Sequence, residues 1–282
     1  MPIRSRLLPL LLLAACAGPD LPFATARAPN SVQQMAIPGP EGVTLHALLA
    51  LPEGPAKGAV VVALHGCSGL APPNRRLRLP LREADWAARL TEAGHPVVFP
   101  DSFGSRGLGS ACGVRGFPVS PERVRREDAR ATAAWAVAQP WALPGGVVLL
   151  GWSHGGSATL AAVAAPLPPG QIRAAIAFYP GCGTLSRAGG WVPAVPVLQL
   201  LGAADDWTPP GLCQGLAAGH AGQVETVLYS GAAHGFDHPG RPVRSHALPD
   251  GRMVTMGSDP AGRADALRRV AGFLGAHGGV AP

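Results

Sequence analysis

The stretch GVVLLGWSHGG, residues 146–156, decides the fold of this chain. Its first half is a continuous apolar run, which is typical of a strand buried on both faces. Its second half matches the pattern G-x-S-x-G, and an alanine-rich helix pattern follows over residues 157–165. A serine at such a strand-to-helix turn is strained and needs small neighbours, which Gly151 and Gly155 provide. The stretch therefore predicts a nucleophile elbow with Ser153 at its tip; the alternative is a glycine-rich turn with an incidental serine.

Short apolar runs alternate with helix patterns on both sides of this stretch. Strands are predicted over residues 44–51, 59–64, 96–100, 146–150, 173–179, 196–201 and 223–229. Helices are predicted over residues 82–93, 120–139, 157–165 and 209–218, with a last helix that begins at Asp259. Strands that alternate with helices form βαβ units, so we expect one α/β domain over residues 37–282. Its central sheet is expected to be mostly parallel, with helices on both faces and no large cap domain. Long loops, which often carry specificity, are predicted over residues 101–119, 181–195 and 235–258.

Ser153 needs partners, because a serine hydroxyl is a poor nucleophile unless a neighbouring base removes its proton. In a fold of this kind the base is a histidine after the last strand, and His234 stands there between small residues. The acid that orients the histidine follows the strand over residues 196–201, where Asp205 or Asp206 can serve. The order serine, aspartate, histidine along the chain favours this assignment.

His238 lies four residues after His234, a spacing at which two histidines on a helix can hold a metal ion. Gly235 and Pro239 oppose a helix at this point, and no acidic residue that could act as a base lies between the two histidines. We therefore expect no metal at these two histidines.

Acyl transfer also needs two N–H donors for the oxyanion that forms at the attacked carbonyl. The residue after the nucleophile, His154, is expected to supply one of them. The other is expected from the loop HGCSG, residues 65–69, and is assigned to the backbone N–H of Cys67. The thiol of Cys67 is then either half of a disulfide or a second nucleophile.

Six motifs surround the predicted site. They are HGCSG (65–69), DSFGSRG (101–107), GWSHGG (151–156), YPGCG (179–183), GAADDWTP (202–209) and AAHGFD (232–237). Through them the chain resembles, over residues 40–275, the dienelactone hydrolase family of the α/β-hydrolase superfamily. The resemblance implies an α/β-hydrolase fold and hydrolysis of a small-molecule ester without a cofactor. It also implies that the acid is Asp205 and not Asp206, because the family segment G-x-x-D-x-x-[VT]-P places it there.

The chain departs from this family at three points. Dienelactone hydrolases use a cysteine nucleophile, whereas this chain has Ser153. They hold the resting thiol with a glutamate, and the matching positions here, His65 and Gly66, carry no carboxylate. They bind a substrate carboxylate with two arginines; Arg106 matches one, and the other falls near His238. We therefore expect a general esterase for small or medium carboxylic esters, which acts through an acyl-enzyme on Ser153.

Three aromatic residues, Phe103, Trp207 and Phe236, lie beside the predicted site loops. They are predicted either to line the substrate pocket or to anchor the loops in the core. A serine peptidase or amidase is an alternative function, although such enzymes usually carry a cap or propeller for peptide recognition. A second alternative is an envelope-anchored binding protein that retains the elbow without catalysis.

The N-terminus has the pattern of a secretory signal. Arg4 and Arg6 precede an apolar run over residues 7–13 that is too short to span a bilayer. Leu-Ala-Ala-Cys then resembles the bacterial lipobox, so we predict a signal peptide over residues 1–15 and a lipid on Cys16. The alternative is an ordinary secretory signal that happens to contain a cysteine.

Residues 16–36 are rich in proline, alanine and polar residues and are predicted to form a tether. Ala17 follows the cysteine where an aspartate would retain the protein at the inner membrane. The sequence therefore predicts a periplasmic protein that a lipid on Cys16 anchors to the outer membrane.

Four cysteines remain after Cys16, and an even number in an oxidising compartment suggests two disulfides. We predict the pairs Cys67–Cys112 and Cys182–Cys213, because each pair lies in loops expected at the same edge of the sheet. Four buried free thiols are the alternative.

Composition opposes two other classes of protein, disordered proteins and nucleic-acid-binding proteins. Hydrophobic residues make up 47% of the chain and charged residues 14%, which predicts a large core and opposes disorder. The formal net charge is +6, but no block of lysine and arginine with interleaved aromatic residues is present in the sequence. We therefore expect no nucleic-acid partner.

Overall fold

The computed structural model describes residues 26–72 and 75–279. Eight strands form its central sheet: β1 (Gln33–Pro38), β2 (Thr44–Ala50), β3 (Val61–Leu64), β4 (Val97–Pro100), β5 (Val147–Trp152), β6 (Ile172–Phe178), β7 (Val197–Gly202) and β8 (Val224–Tyr229). Their spatial order is β1-β2-β4-β3-β5-β6-β7-β8. The pairs β1–β2 and β2–β4 are antiparallel, and the other neighbours are parallel. The predicted mostly parallel sheet is confirmed.

Helices cover both faces of this sheet. They are α1 (Leu81–Glu92), α2 (Arg126–Val137), α3 (His154–Ala162), α4 (Gly183–Ala188), α5 (Gly211–Ala218) and α6 (Pro260–His277). Side chains of α1 and α6 pack in one buried cluster, and side chains of α2, α3 and α5 pack in another. The strand β3 supplies both clusters, since Val61 and Ala63 face α1 and α6 whereas Val62 and Leu64 face the opposite layer. A strand buried on both faces explains why its sequence is continuously apolar.

The sequence missed elements that bury little apolar surface. In β1 only Ile37 is fully buried, so the strand has no apolar run to reveal it. Because β1 begins at Gln33, residues 33–36 belong to the sheet and not to the predicted tether. The predicted loop over residues 181–195 contains the short helix α4.

The predicted loop over residues 235–258 contains a hairpin of two strands, β9 (Arg244–Ala247) and β10 (Met253–Met256). All four residues of β9 are exposed, which removes the alternating pattern that predicts a half-buried strand. The helix α3 also differs from prediction, since it begins at His154, directly after the elbow serine, and not at Ser157.

Both predicted disulfides are confirmed. Cys67 and Cys112 join the loop after β3 to the loop after β4, with Cα atoms 4.9 Å apart. Cys182 and Cys213 join the starts of α4 and α5, with Cα atoms 5.1 Å apart.

No helix within residues 26–72 and 75–279 is long and apolar enough to cross a membrane. The predicted signal peptide and Cys16 lie outside the residues that the structure describes.

Candidate active site

Ser153 stands at a sharp turn between β5 and α3, with φ 54° and ψ −115°. A side chain in this region of backbone space is strained, so the surrounding structure must hold it there. The packing is too close for a larger residue nearby: a Cβ atom on Gly155 would lie 2.0 Å from the carbonyl oxygen of Leu64. A Cβ atom on Gly151 would likewise lie 2.3 Å from the carbonyl oxygen of Gly155. The backbone therefore has the geometry of the elbow that the sequence predicts.

His234 contacts this serine, and Asp205 contacts His234. Nε2 of His234 is 3.0 Å from Oγ of Ser153, and Nδ1 of His234 is 2.7 Å from Oδ2 of Asp205. A carboxylate only accepts hydrogen bonds, so Nδ1 carries the proton and Nε2 is left to accept from the serine hydroxyl. All three residues are buried, which shields these contacts from water. The carboxyl ends of parallel strands meet at one edge of a sheet, and this is why loops far apart in sequence converge here.

The carboxylate of Asp205 is fixed by the chain that follows it. Its Oδ1 accepts hydrogen bonds from the backbone N–H groups of Trp207 and Thr208, at 2.9 and 2.8 Å. Its Oδ2 accepts from the hydroxyl of Thr208 at 2.9 Å. Asp206 points elsewhere: it is exposed and accepts a bond of 2.7 Å from the backbone N–H of Thr255 in β10. Asp205 is thus the acid at the histidine, and Asp206 attaches the hairpin.

The ring of His234 lies between two aromatic rings. Its centroid is 4.6 Å from that of Tyr179 and 4.8 Å from that of Trp207. Tyr179 itself has a positive φ of 35°, which is unusual for a residue other than glycine. This packing restricts the imidazole to the orientation in which both of its nitrogens have partners.

Cys67 and His154 flank Ser153, as the prediction of an oxyanion hole requires. The loop after β3 approaches the elbow closely, since a Cβ atom on Gly66 would lie 4.0 Å from Cβ of Ser153. The backbone N–H of His154 belongs to the first turn of α3, where N–H groups have no partner within the helix and the helix dipole is positive. The disulfide to Cys112 holds Cys67 in place.

The side chain of His154 is neutral and bonds to a buried arginine. Its Nδ1 lies 2.9 Å from a guanidinium nitrogen of Arg125, and because arginine only donates, Nδ1 is the acceptor. Burial, with the charge of Arg125 as the second cause, lowers the pKa of His154 to about 3. Arg125 is itself fully buried, which lowers its pKa to about 10 and leaves it charged at neutral pH. His154 is therefore not a rival to His234 as a base.

The buried carboxylate of Asp237, three residues after His234, connects this part of the chain to the elbow. Its Oδ2 accepts from the indole N–H groups of Trp86 and Trp152, both at 2.8 Å. Its Oδ1 accepts from the hydroxyl of Tyr179 at 2.5 Å, and that hydroxyl accepts from Arg82 at 3.0 Å. The residue before the nucleophile and the ring beneath His234 therefore share one buried carboxylate.

Three residues predicted to contact substrate lie away from Ser153. The guanidinium of Arg106 is bound by Asp128 at 2.8 and 2.9 Å and lines neither cavity at the serine. Phe103 is buried against the rings of His65, Phe117 and His154. Phe236 is buried against Phe178, Tyr179 and Tyr229. The two phenylalanines anchor loops in the core, and of the three predicted aromatic residues Trp207 alone faces the cleft among the residues described.

His234 and His238 both line the cleft, but three of their four ring nitrogens already have partners within the protein. Both ring nitrogens of His234 are engaged, and Nδ1 of His238 accepts from the backbone N–H of Gly240 at 3.1 Å. Burial, followed by the charges of Arg241 and Arg82, lowers the pKa of His238 to about 4. Within residues 26–72 and 75–279, no group of three or more His, Cys, Asp or Glu side chains could hold a metal ion.

Two cavities meet at Ser153, and we name them the wide arm and the narrow arm. The wide arm has a volume of about 480 Å³, and its lining includes Arg82, His234, His238, Arg241, His246 and Leu248. The narrow arm has a volume of about 340 Å³, and its lining includes Ala111, Pro121, His154, Gly181, Thr184 and Arg187. The two share Cys67, Cys112, Ser153 and Trp207.

Sequence reasoning missed Tyr179, Thr208, Asp237 and Arg125 as parts of the site. The first three belong to the motifs YPGCG, GAADDWTP and AAHGFD, so their position beside the predicted residues was the available signal. Arg125 had no such signal, because it lies on a helical turn of the chain (Pro121–Arg125) far from the motifs.

The parallel sheet, the elbow and the residues that converge on it define a hydrolase with an α/β-hydrolase fold and a serine at the nucleophile position. The model of the dienelactone hydrolase family matches residues 45–278. The chain belongs to the dienelactone hydrolase family, which confirms the resemblance in its motifs. A comparison with curated proteins finds no match.

Solved structures with the same fold include members of several hydrolase groups. A dienelactone hydrolase from Klebsiella pneumoniae, described as putative, has a TM-score of 0.61 at 18% identity, over 87% of this chain and 98% of that one. A serine hydrolase without lid from Xanthomonas campestris has a TM-score of 0.52 at 23% identity, over 74% and 88%. A puromycin-hydrolysing peptidase from Mycobacterium tuberculosis has a TM-score of 0.62 at 20% identity, over 94% of this chain but 41% of that one. At such identities these likenesses concern the fold.

Proposed function

We propose that this hydrolase cleaves carboxylic esters through an acyl-enzyme on Ser153. The observation that carries the proposal is the line of contacts from Oγ of Ser153 to His234 and from His234 to Asp205, at 3.0 and 2.7 Å. Such a line supplies a base, and an acid that orients the base, to an otherwise unreactive hydroxyl. The strained backbone of Ser153 aims that hydroxyl into the cleft.

In the first half of the reaction, Oγ of Ser153 attacks the ester carbonyl carbon while Nε2 of His234 takes the hydroxyl proton. The carbonyl oxygen becomes an oxyanion, which the backbone N–H groups of Cys67 and His154 stabilise. The bond from carbon to the alkoxy oxygen then breaks, and His234 gives its proton to that oxygen. An alcohol leaves, and the acyl group stays on Ser153.

In the second half, a water molecule attacks the acyl carbon while His234 takes one of its protons. The bond to Oγ breaks, His234 returns the proton to Ser153, and a carboxylic acid leaves. Asp205 stabilises the imidazolium in both halves and keeps the proton of Nδ1 in place.

The test combines a covalent probe with a matched pair of serine variants. Wild-type protein is expected to turn over p-nitrophenyl acetate and to be labelled at Ser153 by a fluorophosphonate. Ser153→Ala should abolish labelling and lower kcat by at least about 10⁴-fold. Ser186→Ala is the control, because the hydroxyl of Ser186 donates to the carbonyl of Leu212 and lines neither cavity at Ser153. Unchanged turnover in Ser153→Ala would refute the proposal.

A related experiment separates ester hydrolysis from the alternative functions. A p-nitroanilide and a p-nitrophenyl ester with the same acyl group differ in the bond that is cleaved. We expect turnover of the ester and no turnover of the anilide above its spontaneous rate. Because peptidases also cleave activated esters, turnover of the anilide that Ser153→Ala abolishes would assign the protein to amidases or peptidases. Failure of the probe to label the folded wild-type protein would assign it to binding proteins without catalysis.

We propose further that the protein is periplasmic and anchored to the outer membrane through a lipid on Cys16. The lipobox-like sequence before Cys16 supports this location, and so do two disulfides, which persist in oxidising compartments. Labelled palmitate fed to expressing bacteria should enter the wild-type protein and not Cys16→Ser. Equal incorporation into both, or none into the wild type, would contradict the lipid anchor.

A further inference from the structure

Ser153 lies where the wide arm and the narrow arm meet, and the two arms contact different members of the catalytic group. His234 lines the wide arm, together with Gly235 and His238. His154 lines the narrow arm, together with Ser157 of α3. The arms therefore extend from different sides of the nucleophile, one beside the base and the other beside the start of the helix.

This difference fixes how an ester must lie across Ser153. The proton that His234 takes from the serine is next given to the alkoxy oxygen, so that oxygen must come within about 3 Å of Nε2 of His234. The carbonyl oxygen is directed to the N–H groups of Cys67 and His154. With these two directions set, the acyl substituent is left to point away from His234, toward the helix side.

We propose that the wide arm holds the alcohol portion of the substrate and the narrow arm holds its acyl portion. The inference rests on the proposed ester hydrolysis at Ser153 and deepens it by naming the substrate class. Both volumes, about 480 and about 340 Å³, exceed the roughly 300 Å³ at which ligand pockets begin. The preferred substrates are then esters with several carbon atoms on each side of the carboxyl group, and not acetates or methyl esters.

The residues that line both arms lie at the junction of the two cavities, beside Ser153. Trp207 and the disulfide from Cys67 to Cys112 line both cavities. Trp207 is also packed on His234, so it cannot move out of the way without loosening the base. We therefore expect a substitution in one arm, away from the shared residues, to affect only the portion of the substrate that lies in that arm.

Two bulky substitutions test the assignment, one in each arm. Thr184 in the narrow arm and His246 in the wide arm are both exposed, so an indole at either position fills the arm without displacing the core. The variants are Thr184→Trp and His246→Trp. Leu228→Trp is the control, because Leu228 is 45% exposed on β8 and lines neither arm.

The substrates vary one portion at a time. The ratio of kcat/KM for p-nitrophenyl octanoate over acetate measures acyl selection, and the ratio for octyl over methyl butanoate measures alcohol selection. Thr184→Trp should lower the first ratio at least tenfold and leave the second within twofold. His246→Trp should do the reverse, and Leu228→Trp should change neither.

A second measurement uses the acyl-enzyme after the alcohol has left. Added alcohols compete with water: the alcohol oxygen bonds to the acyl carbon while His234 takes its proton, the bond from that carbon to Oγ of Ser153 breaks, and Oγ receives the proton from His234 as a new ester leaves. Because the acceptor enters through the wide arm, His246→Trp should lower the yield of octyl ester at least fivefold, and Thr184→Trp should not lower it for a short acyl group.

The reverse pattern would overturn the assignment, and so would equal effects of both variants on both ratios, or no effect of either. These outcomes can be interpreted only if the wild-type protein hydrolyses esters. If the wild type cleaves none of these esters, the proposed function fails, and the assignment of the arms fails with it.

Discussion

Replacing Asp237 by asparagine removes the charge of the carboxylate beneath the site while keeping its shape. The single remaining oxygen can still accept from the indoles of Trp86 and Trp152, which both bond to Oδ2 at 2.8 Å. The new amide group faces the hydroxyl of Tyr179, which already accepts a bond from Arg82. The proton of that hydroxyl is then left without an acceptor in a buried position.

The cost follows from these contacts. One buried donor without a partner costs about 1–3 kcal/mol, and each indole bond loses about 1 kcal/mol when its acceptor loses its charge. We expect Asp237→Asn to lower the free energy of unfolding by roughly 3–5 kcal/mol. For a chain of this size that corresponds to a fall in Tm on the order of 10 °C.

Activity should fall as well, and mainly in kcat. Tyr179 packs under the ring of His234 at 4.6 Å, and Trp152 precedes Ser153, so a displaced network misaligns the base and the nucleophile. KM should change less than threefold, since Asp237 lines neither arm.

Urea unfolding and the hydrolysis of p-nitrophenyl butanoate measure the two effects. Asp206→Asn is the control, because Asp206 is exposed and an asparagine oxygen can still accept from the backbone N–H of Thr255, so it should cost less than about 1 kcal/mol. The reasoning would be wrong if Asp237→Asn unfolded within about 0.5 kcal/mol of the wild type, a change typical of surface sites.

Three further perturbations have definite outcomes. His154 has a pKa of about 3 when folded and 6.5 ordinarily. Stability is therefore lost as pH falls below about 6.5, by about 1–2 kcal/mol between pH 7 and 5 for this partly exposed ring. Urea unfolding of His154→Gln should show a shallower pH dependence than the wild type, and equal slopes would contradict this. Gly155→Ala would place Cβ 2.0 Å from the carbonyl oxygen of Leu64 in β3. It should therefore lower Tm and slow fluorophosphonate labelling at least tenfold. Gly272→Ala is the control and should do neither, because a Cβ atom there meets open space. The double variant Cys67→Ser and Cys112→Ser should lose about 2–4 kcal/mol in urea unfolding and lower kcat, and full kcat in the folded variant would show that the disulfide does not position the oxyanion loop.

The sequence was sufficient where local pattern and function coincide. Ser153 was identifiable because the buried strand, the small residues and the helix that make an elbow are consecutive in the chain. The two disulfides were predictable for a related reason: in a parallel sheet the loops after successive strands lie at one edge, so the topology brings each pair close. The bounds of the buried strands followed from their apolar runs.

The sequence was insufficient where a residue acts through distant neighbours. The family resemblance assigned Arg106 to substrate binding, but its guanidinium is bound by Asp128, 22 residues further along the chain. Phe103 and Phe236 adjoin site residues, yet their side chains turn inward. Sequence proximity locates a backbone, and packing decides which way each side chain faces.

The sequence by itself determined the fold class, the family, the elbow and the order of Ser153, Asp205 and His234, because each of these depends on short consecutive patterns. The tertiary structure alone decided that Asp237 links Trp152 to Tyr179, that His154 is neutral, and that the cleft has two arms. These features arise from contacts between residues 29–151 positions apart, and no local pattern encodes which groups then share a buried charge or a cavity wall.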